Sequence, residues 1–344
     1  MTVHVGLIGA GNISDTHARA ACDIPGVAVA AVYSPTAEHA RRLAARHGAA
    51  AYDALEGLLA HRPLDLVAIG SPSGLHAEHG VAAARRGLHV LVEKPIDIST
   101  ARADRLIAEA ARGAVTLGVM FQDRLKPDVQ RLKALVESGR LGTPILATAA
   151  VKWYRPPEYY QGSRWRGTRE LDGGGALMNQ GVHTVDLLLW LFGPVRRVFG
   201  RTATRLHAIE VEDTAVAVLE FTNGAIGTLE AATSVYPGYS RRIELTGTGG
   251  TLVLEGDRLA RIDLRDEPAE GPVAEPAAPP ESAASPVVTD ATPHRRVFED
   301  FIRAVETGSA PCCSGPDGRR SVEMIEAVYR SALENQSIEL VPGR

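Results

Sequence analysis

The sequence predicts an α/β protein of two parts: an N-terminal doubly wound parallel sheet, then a C-terminal α/β domain with a large, open, mostly antiparallel sheet. Three observations predict it. Short apolar runs alternate with amphipathic stretches up to about residue 120, the signature of strand-helix-strand units. From about residue 145 the pattern changes to period-two segments rich in β-branched residues. The length of 344 residues, at roughly 100 to 200 residues per domain, allows about two domains, each with its own core.

In the first part, expected as residues 1–121, the strands are Val3 to Ile8, Val27 to Tyr33, Leu66 to Ile69, Leu88 to Val92 and Val115 to Val119. Thr36 to His47 reads as a helix closed by Gly48. Thr100 to Arg112 reads as another, with Ser99 as N-cap and Gly113 behind it. The second part, expected as 122–344, opens with a helix over Pro127 to Ser138. Strands follow at Ile145 to Val151, Val195 to Thr204, Thr214 to Phe221, Ala225 to Ala232, Ile243 to Thr246 and Thr251 to Leu254. Thr222-Asn223-Gly224 is a hairpin turn. Residues 266–293, rich in Pro, Ala, Glu and Ser, read as a surface excursion, and helices over Arg295 to Thr307 and Arg319 to Glu334 follow it.

Composition narrows the function. With 45% hydrophobic and 23% charged residues the chain is an ordinary globular mixture. Its 37 Lys and Arg against 41 Asp and Glu leave a formal charge of -4, which gives no general attraction to polyanions, so nucleic acid is not expected as a partner. No apolar run approaches the roughly 20 residues of a membrane span. Met1 leads directly into a strand pattern with no signal-peptide organisation, and the three cysteines include only one adjacent pair, Cys312 and Cys313. A cytoplasmic location is therefore expected.

The first strand runs into Gly9-Ala10-Gly11-Asn12-Ile13-Ser14, a G-x-G-x-x-small turn that opens a helix. The first glycine allows the tight turn, and the second lets backbone approach a pyrophosphate held at the positive end of the helix. This makes the first part a Rossmann dinucleotide site, with Gly9, Gly11, Asn12 and Ile13 as cofactor contacts. The second strand ends in Ser34, where an acid would grip an adenosine ribose. Loss of the acid favours a 2'-phosphate, the adjacent Arg that would bind one is missing, and Ser34 could simply cap the next helix. NAD and NADP stay equally open. The turns after the next strands carry Ser71, Pro72 and His76, and then Glu93-Lys94-Pro95, all at carboxyl ends where open parallel sheets place ligands. Lys94 either points its ammonium into the nicotinamide crevice or is solvated, the commoner fate of a lysine.

A glycine run at Gly173-Gly174-Gly175 precedes an apolar helix stopped by Gly193-Pro194. On that helix Asn179, His183 and Asp186 fall at i, i+4 and i+7. Polar groups on a buried helix must bond one another or face a cavity, so His183 is either a satisfied core histidine or a proton acceptor poised near neutral pH. One histidine, one amide and one carboxylate make an incomplete zinc set, and no metal is expected.

These motifs, with Phe121-Gln122-Asp123-Arg124, Trp165-Arg166-Gly167-Thr168 and the run from Asp172 to His183, resemble in order and spacing the glucose-fructose oxidoreductase, inositol dehydrogenase and rhizopine-catabolism (Gfo/Idh/MocA) family over essentially the whole chain. The resemblance implies an NAD(P)-dependent oxidoreductase that moves a hydride between nicotinamide and a secondary alcohol or ketone of a sugar, nucleotide-sugar or cyclitol. It maps the hydroxyl-binding lysine onto Lys94 and the proton-transferring histidine onto His183. Gln122, Glu93, Trp165 and Arg166 are then cofactor-side candidates, and Arg124, Lys152, Tyr154 and Asn179 substrate-side ones. Asn179 departs from the Asp common in the family and can only position a hydroxyl. The resemblance also implies a homodimer or homotetramer formed through the open sheet. Two other functions are compatible with it: an NAD-dependent glycosidase, and a non-catalytic regulator that senses a dinucleotide or sugar.

Overall fold

A computed structural model describes residues 2–265 and 290–340. The chain forms two compact units, Met1–Gln122 with Val287–Arg319, and Asp123–Pro286 with Arg320–Arg344.

The first unit runs β1 (Val3–Ile8), α1 (Asn12–Cys22), β2 (Val27–Tyr33), α2 (Ala37–His47), β3 (Ala50–Tyr52), α3 (Leu55–Leu59), β4 (Leu66–Ile69), α4 (His76–Ala84), β5 (His89–Val92), α5 (Thr100–Arg112) and β6 (Leu117–Val119). Its six strands are parallel in the order β3-β2-β1-β4-β5-β6, which is the doubly wound dinucleotide-binding order. Helices cover both faces of such a sheet, which is why β1, β4 and β5 read as mainly apolar runs rather than alternating ones: Val5, Leu7, Ile8, Val67, Ile69, Val90 and Val92 are all sealed from solvent. The punctuation also behaves as expected. Gly48 ends α2 in the left-handed region, and Ser99 Oγ accepts the amide of Arg102 at the start of α5.

The second unit contributes α6 (Pro127–Glu137), β7 (Pro144–Lys152), α7 (Glu158–Gln161), α8 (Val182–Phe192), β8 (Val195–Ala203), β9 (Thr214–Phe221), β10 (Ile226–Ala232), β11 (Arg242–Gly247), β12 (Gly250–Glu255) and β13 (Arg258–Leu264). After these come α9 (Thr292–Thr307), α10 (Gly315–Glu334) and β14 (Ile338–Glu339). The second sheet has eight strands in the order β13-β12-β11-β7-β10-β9-β8-β14, and it is mixed because β7 and β10 run parallel. Asn223 and Gly224 make the β9–β10 hairpin, with Asn223 also donating to the carbonyl of Phe192. Inward residues such as Leu219, Leu229, Ile243 and Leu245 alternate with outward ones, and α8 packs on β7.

Two boundaries differ from the linear reading. Residues 122–344 were expected to stay together, yet α9 packs on α1 in the first unit, because its apolar face (Val297, Phe298, Phe301) is buried there. The excursion expected over 266–293 lies largely outside the described residues. Its last two residues, Thr292 and Pro293, belong to α9, where proline is well tolerated at the first turn.

Candidate active site

The glycine turn of the first unit separates two roles that the motif alone merges. Gly9 has φ +115°, and a Cβ there would stand 2.7 Å from the carbonyl oxygen of Gly70, so the fold itself demands glycine. Gly11 has φ -85° and ψ -173°, and a Cβ there would meet nothing within 4 Å. The fold has no need of a glycine at that position. What glycine leaves is bare backbone at the N-terminus of α1, where no side chain caps the helix amides. Nearby, Ser14 Oγ, a buried polar atom without a hydrogen-bond partner, lies against Gly70; Gln122 Oε1, after β6, is another such atom. An open helix terminus and unspent polar atoms fit a dinucleotide, with its pyrophosphate on the α1 amides.

Ser34 is buried, and its hydroxyl accepts the amide of Thr36 at 3.3 Å, so it is spent on turning the chain into α2; Arg41 and Arg42 are exposed on that helix. The loops after β4 and β5 are tied together. His76 places Nδ1 2.7 Å from the carbonyl oxygen of Pro95 and Nε2 2.9 Å from that of Ser71. Asp97 accepts the amides of Ala77 and Ile98, and Pro72 precedes the short turn Ser73–Leu75 that leads into α4. Among these expected contacts, Glu93 has its carboxylate turned inward and engaged by His17, while Lys94 at the end of β5 is half-buried.

His79 Nδ1 lies 2.9 Å from Ser71 Oγ, and its pKa is pushed down to about 4 by burial and, to a smaller degree, by the charge of His76. Between pH 6.5 and about 4 the unfolded chain takes up a proton that the folded chain refuses, so stability is full above this window and falls as pH drops through it. Lowering pH from 7 to 5 should cost about 2 kcal/mol at this residue. Urea midpoints at the two pH values check it, and His79→Gln should remove that part of the loss.

In the second unit the glycine run is read by one buried acid. Glu212 accepts the amides of Gly175 and Leu177 and the hydroxyl of Tyr329. A Cβ on Gly175 would come 1.9 Å from the carbonyl oxygen of Glu212, so only glycine permits this approach. Ala176–Gly181 is a π-helical turn, and α8 begins only at Val182. The continuous helix expected here is therefore broken by a wider turn, a feature often found at functional sites. Asn179 thus lies in the π turn and His183 in the α-helix, so the regular α-helical path expected between them is interrupted. The amide of Asn179 is engaged at both ends, its nitrogen donating to Asp172 and its oxygen accepting from Gln180.

His183, in the first turn of α8, is 12% exposed at its side chain and places Nδ1 3.9 Å from Asp123 Oδ2. Asp123 also takes Arg241 at 2.6 Å and Lys126 at 2.7 Å, and both cations reach Asp257 as well. Burial alone would raise the Asp123 pKa; Arg241, then Lys126 and His183, hold it well below the usual carboxylate range. Asp186, one turn further along α8, is buried in a two-point pair with Arg124, at 2.8 and 2.6 Å. Arg124 is thus committed to the scaffold that holds α8.

The remaining candidates are dispersed. Arg166 lies over the ring of Tyr159 at 4.3 Å, beside Trp165. Tyr154 bridges to Ser234 and meets the exposed Tyr236 edge-on. Lys152 pairs with Glu230 at 2.6 Å on the outer face of the second sheet, opposite the inward residues of β7 against which α8 packs. Sequence reasoning passed over Asp123, Arg241 and Glu212. Only Asp123 had a local signal, since it stands inside the Phe121 to Arg124 run.

A model described as "Oxidoreductase family, NAD-binding Rossmann fold" matches residues 3–121, and one described as "GFO/IDH/MocA C-terminal domain" matches 129–253. D-xylose 1-dehydrogenase (NADP(+)) 2 of Haloferax volcanii is 31% identical over 84% of this chain and 85% of its own. The chain belongs to the Gfo/Idh/MocA oxidoreductase family. The myo-inositol 2-dehydrogenase of Thermotoga maritima is 26% identical over 98% of each chain. Among solved structures, the WlbA dehydrogenase of Bordetella pertussis, in complex with NADH and UDP-GlcNAcA, superposes with a TM-score of 0.88 at 32% identity over all of both chains. As a family member this chain is an NAD-binding oxidoreductase. No helix among its described residues is long and apolar enough to cross a membrane.

Proposed function

We propose that this protein is a dehydrogenase that oxidises a ring CH–OH of a sugar, with Lys94 and His183 as its catalytic pair, and that a nucleotide-sugar is the substrate class to test first. The observation that carries the reading is His183: a nearly buried imidazole at the junction of a π turn and α8, with an ionised carboxylate beside it, in a chain whose other unit keeps an uncapped α1 terminus. Bound nicotinamide supplies the hydride acceptor. His183 takes the hydroxyl proton, and the Lys94 ammonium stabilises the oxygen as negative charge develops on it. Asp123 favours the protonated form of His183 that results. Asp172 and Gln180 hold the Asn179 amide, which makes it a brace for the π turn.

Full-length likeness to the WlbA dehydrogenase, at 32% identity, supports the nucleotide-sugar class over free cyclitols, since the myo-inositol 2-dehydrogenase of Thermotoga maritima is 26% identical. A panel of uridine-diphosphate sugars, aldoses and cyclitols, offered with NAD and with NADP, should give reduced cofactor fastest with a uridine-diphosphate sugar. Turnover confined to a cyclitol would overturn that choice. A cytoplasmic location remains part of the proposal.

A homo-oligomer is proposed to form through the outer face of the second sheet. There Leu146, Phe199, Val216, Val218 and Ile226 stand side by side across β7, β10, β9 and β8, each more than a third exposed, within a border of charged residues that includes Lys152 and Glu230. Val218→Glu should shift the protein to monomers by light scattering, and an unchanged mass would refute this interface.

A further inference from the structure

His17 of α1, Glu93 at the end of β5 and His294 of α9 meet in the core of the first unit. His17 is fully buried, His294 is 3% exposed and Glu93 6%. His17 Nε2 lies 2.8 Å from Glu93 Oε1, and since a carboxylate only accepts, the imidazole donates. His294 Nε2 approaches the same oxygen at 3.9 Å, and the two imidazole rings stand 5.9 Å apart. The other carboxylate oxygen, Oε2, accepts the backbone amide of Lys94 at 3.1 Å. One carboxylate oxygen is therefore hydrogen-bonded by His17, with the imidazole of His294 close by, and the other accepts the amide of the residue that bears the ammonium.

We infer that His17 and His294 are positioning residues for Lys94, acting through Glu93 to fix the backbone from which the lysine reaches the substrate oxygen. The inference rests on the catalytic reading of Lys94 above. A buried carboxylate is costly to hold unless it is bonded at both oxygens, and this arrangement bonds both. Burial would raise the pKa of Glu93, but the hydrogen bond from His17 and the charges of His17, His294 and Lys94 bring it to about 2, so the acceptor stays ionised throughout the working range. Because His17 lies a turn and a half into the helix whose N-terminus would carry the pyrophosphate, the same rigid element serves both the cofactor and the lysine.

The arrangement is a hydrogen-bonded cluster rather than a metal cage. Ligand atoms around a tetrahedral zinc stand about 3.3 Å apart at bond lengths of roughly 2.0 to 2.1 Å, wider than the 2.8 Å between His17 and Glu93.

The test is a double-mutant cycle on the holoenzyme. His17→Gln should lower kcat about 10-fold to 100-fold, with the KM for the dinucleotide changed by less than about 2-fold, because the loss lies in placing the lysine rather than in holding cofactor. In a Lys94→Ala background the same substitution should cost almost nothing further. His294→Gln, read in the same two backgrounds, serves if His17→Gln does not fold, and thermal unfolding tracks the fold of each variant. Equal losses in both backgrounds would overturn the relay while leaving Lys94 catalytic. Parental turnover in Lys94→Ala alone would overturn both the relay and the reading beneath it. Stoichiometric zinc by elemental analysis of the purified protein would also overturn it, by making the cluster a metal centre.

Discussion

Lys94→Ala and His183→Ala should each lower turnover by about 10² to 10⁴-fold while dinucleotide affinity changes little. Neither side chain is expected to hold the fold together, and thermal unfolding of both variants checks this. Lys94 is half-buried at a strand end, and the buried pair that secures α8 is Arg124 with Asp186, not His183. On the proposed reading both groups act on one hydroxyl, so the double variant should lose less than the product of the single losses. Steady-state kinetics together with fluorescence titration of the reduced cofactor separate the two quantities. If His183→Ala turns over at the parental rate, with hydride transfer rate-limiting by a deuterium effect, the imidazole is structural.

Gly11→Val should weaken dinucleotide binding by about 10²-fold or more in a protein that still folds. The backbone at Gly11 is in a region open to any residue and space surrounds its missing Cβ, so unfolding temperature should barely move. A valine there would stand where the pyrophosphate approaches. Losing two charge-assisted hydrogen bonds, at about 1.5 to 3 kcal/mol each, implies affinity weaker by 10²-fold or more. Gly9→Ala should do the reverse: strain at φ +115° and a contact with the Gly70 carbonyl should cost about 1 to 3 kcal/mol of stability. Calorimetric titration and thermal unfolding of both variants check the contrast. Unaltered affinity in Gly11→Val would remove this turn from the cofactor site.

Much of the fold was legible because its signals are local. The first sheet announces itself through apolar runs separated by capped helices, and the second through alternation along β9 and β10. β3 escaped because three residues carry no period. β13 escaped because Arg258, Arg261 and Asp263 interrupt its apolar positions on an edge strand, where charge is tolerated. The candidate site, as proposed, is legible only in part. Glycines, Lys94 and His183 stand in recognisable runs, whereas the carboxylate beside His183 depends on Arg241, 118 residues away from Asp123, and no local pattern encodes such a pairing. The π turn likewise has no signature in the order of its residues, and neither do the bonds by which Asp172 and Gln180 engage the amide of Asn179.

The central claim is net hydride transfer from a sugar carbon to nicotinamide, and it is tested most directly by tracing the hydrogen. A uridine-diphosphate sugar deuterated at the ring carbon that turns over should yield reduced cofactor carrying one deuterium, together with an equal amount of keto-sugar, by mass spectrometry. Release of sugar or nucleotide with no accumulation of labelled reduced cofactor would contradict the account and identify a transient redox step in bond cleavage instead.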